Sequence, residues 1–222
     1  MVETVRRPFS GDVYSVEVPG THTFVTTGGL AVHNCFPKDV SFLKLLAGNS
    51  GYHFQLVNAV IEVNDLQMRR PIQKLQKHLG SLRGKTVALL GLAFKPHTDD
   101  LREAPSIVIA SRLTAEGAEV RAWDPAARPG AMLRGVVICD TVLEAVRGAD
   151  AAVIVTEWDE LRSLATAEVR AAMRNPLIID GRNLLEPAEV RAAGFAYEGI
   201  GRPVSPLDVL PETRERDREL EA

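Results

Sequence analysis

The chain is short of cysteine, of aromatic residues and of any surplus charge. Two cysteines, Cys35 and Cys139, in 222 residues cannot make a disulfide framework, so a reducing cytoplasm is the expected compartment. Lys and Arg total 26 against 29 Asp and Glu, a formal charge of -3, which leaves no basic footprint for nucleic acid. No apolar run approaches the roughly 20 residues that span a bilayer. The start, Met1-Val2-Glu3-Thr4, lacks the charged-then-apolar pattern of a signal peptide. There is no internal repeat, no expected metal site, and no Gly-x-Gly-x-x-Gly, so a dinucleotide should not bind in the usual phosphate-cradling way. What remains is ordinary globular composition, 45% hydrophobic and 25% charged, enough for one or two domains.

Three textures follow one another. In residues 1–34, Asp12 to Val18 alternates apolar and polar like a half-buried strand, and Pro19-Gly20 makes a turn. Thr23 to Thr27 is a second strand candidate, and Leu30-Ala31-Val32 a third short run. From residue 36 to about 82 the pattern is helical around a loop at Gly48 to Gly51, with Val57, Val60, Ile61, Met68, Leu75 and Leu79 on one stripe. Asn64 interrupts that stripe, either as a core hydrogen-bonder or facing a ligand. Pro71 should kink or restart the helix near Arg69-Arg70.

From Lys85 strands and helices alternate. Strands are expected at 86–90, 119–123, 151–155 and 177–180, and helices at 105–116, with Gly117 as its C-cap, and at 141–147. This order predicts an α/β fold, a Rossmann-like doubly wound parallel sheet. The tail from Pro211 is charge-dense.

The candidate chemistry is concentrated at His33-Asn34-Cys35-Phe36-Pro37-Lys38-Asp39. The Asn34 amide can attack its own carbonyl and cut the chain, with His33 as general acid. Cys35, between a strand and a helix N-terminus, suits a thiolate nucleophile. Cys139, inside Val136-Val137-Ile138, reads instead as a buried small hydrophobe. Gly91-Leu92-Ala93-Phe94-Lys95 to Arg102-Glu103 sits where the first strand of the sheet ends, the edge at which open α/β sheets bind ligands. Lys95 and Arg102 bring positive charge there.

Residues 13–34, including Val18-Pro19-Gly20-Thr21-His22 and Gly29-Leu30-Ala31-Val32-His33-Asn34, resemble the last two conserved blocks of inteins, ending at the splice junction Asn34|Cys35. That resemblance implies that His22 assists Asn34 cyclisation, His33 is the penultimate histidine and Cys35 is the first extein residue. It also implies a matching N-terminal intein segment, supplied in trans or by a longer precursor.

A second resemblance begins at Cys35. Cys35-Phe-Pro-Lys-Asp39, Gly91-Leu-Ala-Phe-Lys-Pro-His-Thr-Asp-Asp-Leu-Arg-Glu-Ala-Pro-Ser106, Trp123-Asp-Pro125, Thr156-Glu-Trp158 and Asp180-Gly-Arg-Asn183 are similar to the UDP-glucose/GDP-mannose dehydrogenase family, nearest its UDP-glucose branch. The resemblance implies an NAD-dependent oxidation of UDP-glucose to UDP-glucuronate through a thiohemiacetal and thioester on Cys35. Asp39 would serve in proton transfer or water positioning, Lys95 and Arg182 would hold the UDP-sugar, and Arg102 would approach the NAD. Together with the intein resemblance and the charge-dense tail, this gives an intein segment over 1–34, a catalytic loop and central dimerising helices over 35–83, a UDP-sugar-binding domain over 84–210, and a charged tail over 211–222. The family's N-terminal NAD domain is not in this sequence. The expectation is therefore a C-terminal half that is inactive until joined to an N-terminal half, and a homodimer when complete. Alternatives are a non-catalytic UDP-sugar-binding module, or a dehydrogenase of GDP-mannose or UDP-N-acetylmannosamine.

Overall fold

The computed structural model describes residues 23–25, 31–33 and 36–202, with side chains from residue 40 onward. The strand expected over 12–18 and the residues His22, Asn34 and Cys35 lie outside the described residues. The chain divides into two compact units, Met1–Glu62 and Val63–Ala222.

In the first unit β1 (Thr23–Val25) pairs antiparallel with β2 (Ala31–His33), with Thr23 opposite His33. Helix α1 (Phe36–Asn49) starts three residues after β2 ends, so the segment around Cys35 joins a strand to a helix, as the sequence suggests. The helical region is three helices, broken at the two places the sequence marks. Gly51, at φ 76°, sits in the turn before α2 (Gln55–Gln67), and a second break at Met68-Arg69 precedes α3 (Arg70–Leu79), which carries Pro71 in its first turn. Proline lacks the N–H that a continuous helix would need there, so the chain restarts at that point. Asn64 is exposed, so it needs no buried partner and does not interrupt a core stripe. Phe42, Leu43, Leu45 and Leu46 of α1 and Leu56 of α2 are also exposed despite being large and apolar.

The second unit is a six-stranded parallel sheet in the order β5-β4-β3-β6-β7-β8. Its strands are β3 (Thr86–Leu90), β4 (Glu119–Trp123), β5 (Val136–Ile138), β6 (Ala151–Ile154), β7 (Leu177–Asp180) and β8 (Ala196–Gly199). Chain order runs outward from β3 to β5, then jumps back to β6 and runs the other way. With right-handed crossovers the two halves carry their helices on opposite faces, which is the doubly wound arrangement. Every residue of β3, β6 and β7 is buried, as their unbroken apolar runs require. The core they form with Leu75, Leu113, Leu161 and Tyr197 gains about 1.5–3 kcal/mol for each fully buried large side chain.

Local chemistry sets the helix limits. In α4 (Pro105–Ala115) proline takes the first turn, and beyond its end Gly117 adopts φ 83° while its N–H donates to the Thr114 carbonyl at 3.0 Å. Thr141 caps α5 (Val142–Val146) by accepting from the Glu144 N–H at 3.1 Å, and Thr166 caps α6 (Ala167–Ala172) by accepting from the Val169 N–H at 3.2 Å. Helix α7 (Pro187–Ala192) packs on β8. Cys139 is buried, in keeping with its apolar neighbours. Among the described residues no helix is long and apolar enough to cross a membrane.

Candidate functional site

The switch point of the sheet lies between β3 and β6, and four loops meet at the carboxyl ends of the strands around it. The loop after β4 contributes their organiser. The buried Asp124 carboxylate accepts at Oδ2 from the N–H groups of Leu92 (2.6 Å) and Ala93 (3.0 Å), and from Trp158 Nε1 (2.9 Å). Its Oδ1 accepts from Ala126 N (2.9 Å) and Ala127 N (2.7 Å). Five donors on one carboxylate tie the loops after β3, β4 and β6 together. The tie is reinforced by Thr156, whose hydroxyl donates to the Ala93 carbonyl at 2.5 Å, and by Ser106, whose hydroxyl donates to the Leu92 carbonyl at 2.5 Å. Gly91 permits this closeness: at φ 86°, a Cβ there would stand 2.8 Å from the Thr156 backbone nitrogen.

Arg182 rises from the loop after β7. Gly181 holds that loop against β6 by donating to the Ile154 carbonyl at 3.0 Å, and a Cβ on it would lie 2.6 Å from that oxygen. The Arg182 guanidinium meets the Glu157 carboxylate side-on, Nε to Oε2 at 2.5 Å and Nη2 to Oε1 at 2.9 Å. Burial pushes the Glu157 carboxyl up, but hydrogen bonds and charge attraction from Arg182, with a backbone hydrogen bond, bring it below its ordinary value. The same hydrogen bonds raise Arg182. Asp180 accepts at Oδ1 from the Arg182 N–H (3.0 Å), and at Oδ2 from Leu185 N (2.9 Å) and the Tyr197 hydroxyl (3.0 Å). Burial first, then the Asp180 charge, pushes the Tyr197 hydroxyl well above its usual value, so it stays a donor.

Residues 88–187 match the UDP-glucose/GDP-mannose dehydrogenase family, UDP binding domain. This part of the chain belongs to that family. The chain is 46% identical over 172 residues to the UDP-glucose 6-dehydrogenase YwqF of Bacillus subtilis, covering 76% of this chain and 39% of that protein. An uncharacterised protein of Methanocaldococcus jannaschii, MJ1054, is 33% identical over 214 residues, 90% of this chain but only 24% of the relative. Among solved structures, a UDP-glucose dehydrogenase from Pyrobaculum islandicum superposes with a TM-score of 0.66 at 31% identity, covering 76% of this chain and 37% of that one. Against the UDP-glucose 6-dehydrogenases it matches, the chain spans between 38% and 46% of their length.

Two of the residues singled out from sequence lie in loops at the carboxyl edge of this sheet. Lys95, half-buried, lies two residues past Ala93, whose carbonyl holds Thr156; Arg182 is bound to Glu157, the next residue. Both therefore stand at the same end of the sheet on tied loops. Arg102 is on the Lys95 loop but exposed, and its guanidinium grips Asp100 at 2.9 and 2.8 Å. His33 and Asp39 are described only as backbone, in β2 and in the first turn of α1.

Sequence reasoning noted Trp123-Asp124-Pro125 and Thr156-Glu157-Trp158 as motifs but gave neither Asp124 nor Glu157 a role. The available signal was their position just past two strands of a sheet that binds at its carboxyl edge.

NAD, which the family implies, does not fit this domain. In a dinucleotide fold the N–H groups of the turn after the first strand face the pyrophosphate. Here Leu92 N and Ala93 N are already taken by Asp124.

Proposed function

We propose that the chain is the C-terminal, UDP-sugar-binding half of a UDP-glucose 6-dehydrogenase. Lys95 and Arg182 would hold the nucleotide-sugar phosphates. The observation that carries this reading is the half-exposed Arg182 guanidinium, bound through Glu157 to the loop after β6, which Thr156 ties to the loop carrying Lys95, in a domain whose dinucleotide turn is filled by its own carboxylate. Calorimetric titration of the chain tests it. UDP should bind more tightly than GDP, and Arg182→Ala should weaken UDP by about tenfold, the value of one charge-assisted contact pair. Equal affinity for GDP and UDP would refute the uridine assignment.

In the completed enzyme Cys35 would be the nucleophile toward C6 of the sugar, and Asp39 would move a proton or place water there. The NAD would be held by an N-terminal half, with Arg102 reaching toward it. The exposed apolar residues of α1 and α2 would be covered by that half and by a second subunit.

Residues 1–34 would remove themselves by splicing at Asn34|Cys35, using His22 and His33. Two facts support this. The β1–β2 register sets Thr23, the neighbour of His22, opposite His33. The M. jannaschii relative matches more of this chain than YwqF does, yet is about twice as long, as an inserted element would make it. Mixing the chain with an N-terminal half that carries an intein N-segment should yield a ligated product that reduces NAD with UDP-glucose. Asn34→Ala should block release at Cys35, and cleavage that survives that change would sink the splicing assignment.

A further inference from the structure

The Glu157–Arg182 pair differs from an ordinary surface ion pair. Such pairs contribute little because both side chains must give up their freedom to meet. Here the two backbones are already fixed. Glu157 stands between Thr156, bonded to the Ala93 carbonyl, and Trp158, bonded to Asp124. Arg182 follows Gly181, which is pressed onto Ile154, and its own N–H is held by Asp180. Glu157 and Arg182 keep 33% and 38% of their side chains exposed, so the pair faces solvent at the carboxyl edge.

A guanidinium has five N–H donors in a rigid fork. Glu157 engages Nε and one side of Nη2. Among the described residues the side chain has no other hydrogen-bond partner, which leaves the Nη1/Nη2 edge, with the spacing that matches two oxygens of one phosphate. The carboxylate's negative charge opposes an approaching anion, but it is already offset by the guanidinium it grips, and the fork geometry it imposes remains.

We propose that Glu157 is a positioning residue: it grips the Nε/Nη2 edge of Arg182 and thereby aims the Nη1/Nη2 edge at a diphosphate. This rests on the reading of Arg182 as the ligand-holding cation. Glu157 touches no ligand itself and acts only through Arg182.

The test is a double-mutant cycle on the full chain, with UDP and uridine titrated at fixed salt into the wild type, Glu157→Gln, Arg182→Ala and the double variant. Glu157→Gln should weaken UDP by about three- to tenfold, the loss of one hydrogen bond of ordinary net strength. Uridine affinity should stay in place, which a merely structural role would not produce. In the Arg182→Ala background Glu157→Gln should have no further effect. Unchanged or tighter UDP binding by Glu157→Gln, or an equal loss in the Arg182→Ala background, overturns the inference alone. Arg182→Ala with undiminished UDP affinity, or a wild type that ignores UDP, overturns the site reading and this inference with it. Should Glu157→Gln fail to fold, Arg182→Lys keeps the charge and discards the fork. It should weaken UDP by a similar factor, and full affinity would refute the geometry.

Discussion

Glu198 of β8 takes three side-chain partners from α3, and its removal gives a quantitative test of what holds that helix in place. Its carboxylate is 4% exposed and receives Lys74 Nζ at 2.6 Å, His78 Nε2 at 2.7 Å and Lys77 Nζ at 3.0 Å, three successive donors from one face of α3. Burial raises the Glu198 carboxyl, but the hydrogen bonds from His78, Lys74 and Lys77 overcome it and bring the group down to about 2 from 4.5. A depression of that size corresponds to about 3 kcal/mol of folding stability. Lys77 contributes the smallest share, being 51% exposed and therefore screened. The sign follows from linkage. The folded value lies below the unfolded one, so this stability is fully present above pH ~5 and is lost as pH falls through 4.5 toward 2. Glu198→Gln can still accept one hydrogen bond, but it takes the counter-charge from the partly buried Lys74 and disturbs the contact with the buried His78. It should therefore cost about 3 kcal/mol at pH 7, the range for breaking a buried pair. Urea unfolding followed by fluorescence is the assay, since both tryptophans, Trp123 and Trp158, are buried in this domain. Measured from pH 7 to pH 3, the gap between wild type and variant should hold down to about pH 5 and narrow below it. A gap below about 1 kcal/mol at pH 7, or one that does not narrow with acid, would refute the clamp.

Three further outcomes follow from the loops at the carboxyl edge. Gly91→Ala must place a Cβ at φ 86° and within 2.9 Å of Thr156 backbone atoms, so it should lower unfolding stability by about 2 kcal/mol or more in the same urea assay. Asp124→Asn turns one acceptor oxygen of a five-donor hub into a donor, which should cost about 2–4 kcal/mol and broaden the near-UV dichroism of Trp158, whose indole N–H bonds that side chain. Lys95→Ala should reduce UDP affinity, whereas Arg102→Ala should leave it within about twofold, a change worth under 0.5 kcal/mol, because Arg102 is exposed and folded onto Asp100. Titration calorimetry separates the two, and equal losses would show that both lysine and arginine face the nucleotide.

The sequence readings succeeded where the information was local and failed where it was not. Continuous apolar runs announced β3, β6 and β7 because strands buried on both faces cannot alternate. Pro71 and Gly117 marked helix limits by removing a donor and by accepting a left-handed backbone. Edge strand β8, with Tyr197 and Glu198 in a four-residue stretch, gave no periodic signal, and α6 and α7 are six-residue helices too short to show one. Asn64 looked like a break in a buried stripe because the apolar spacing was taken to mark a packed face, whereas Val60 and Asn64 are both exposed. The same distinction divides the site. Lys95 and Arg182 were visible as charges beside strand ends, and a strand end in an open parallel sheet is a place of known chemistry. Their partners were not visible. Glu157 reaches Arg182 across 25 residues, Asp124 reaches Leu92 across 32, and Glu198 reaches His78 across 120. Such pairings exist only after strand order is fixed, and the reversal at β3 fixes it by bringing the loop after β6 beside the loop after β3. The residues that could touch a ligand are therefore written in the local sequence, while the residues that aim and hold them are written in the topology.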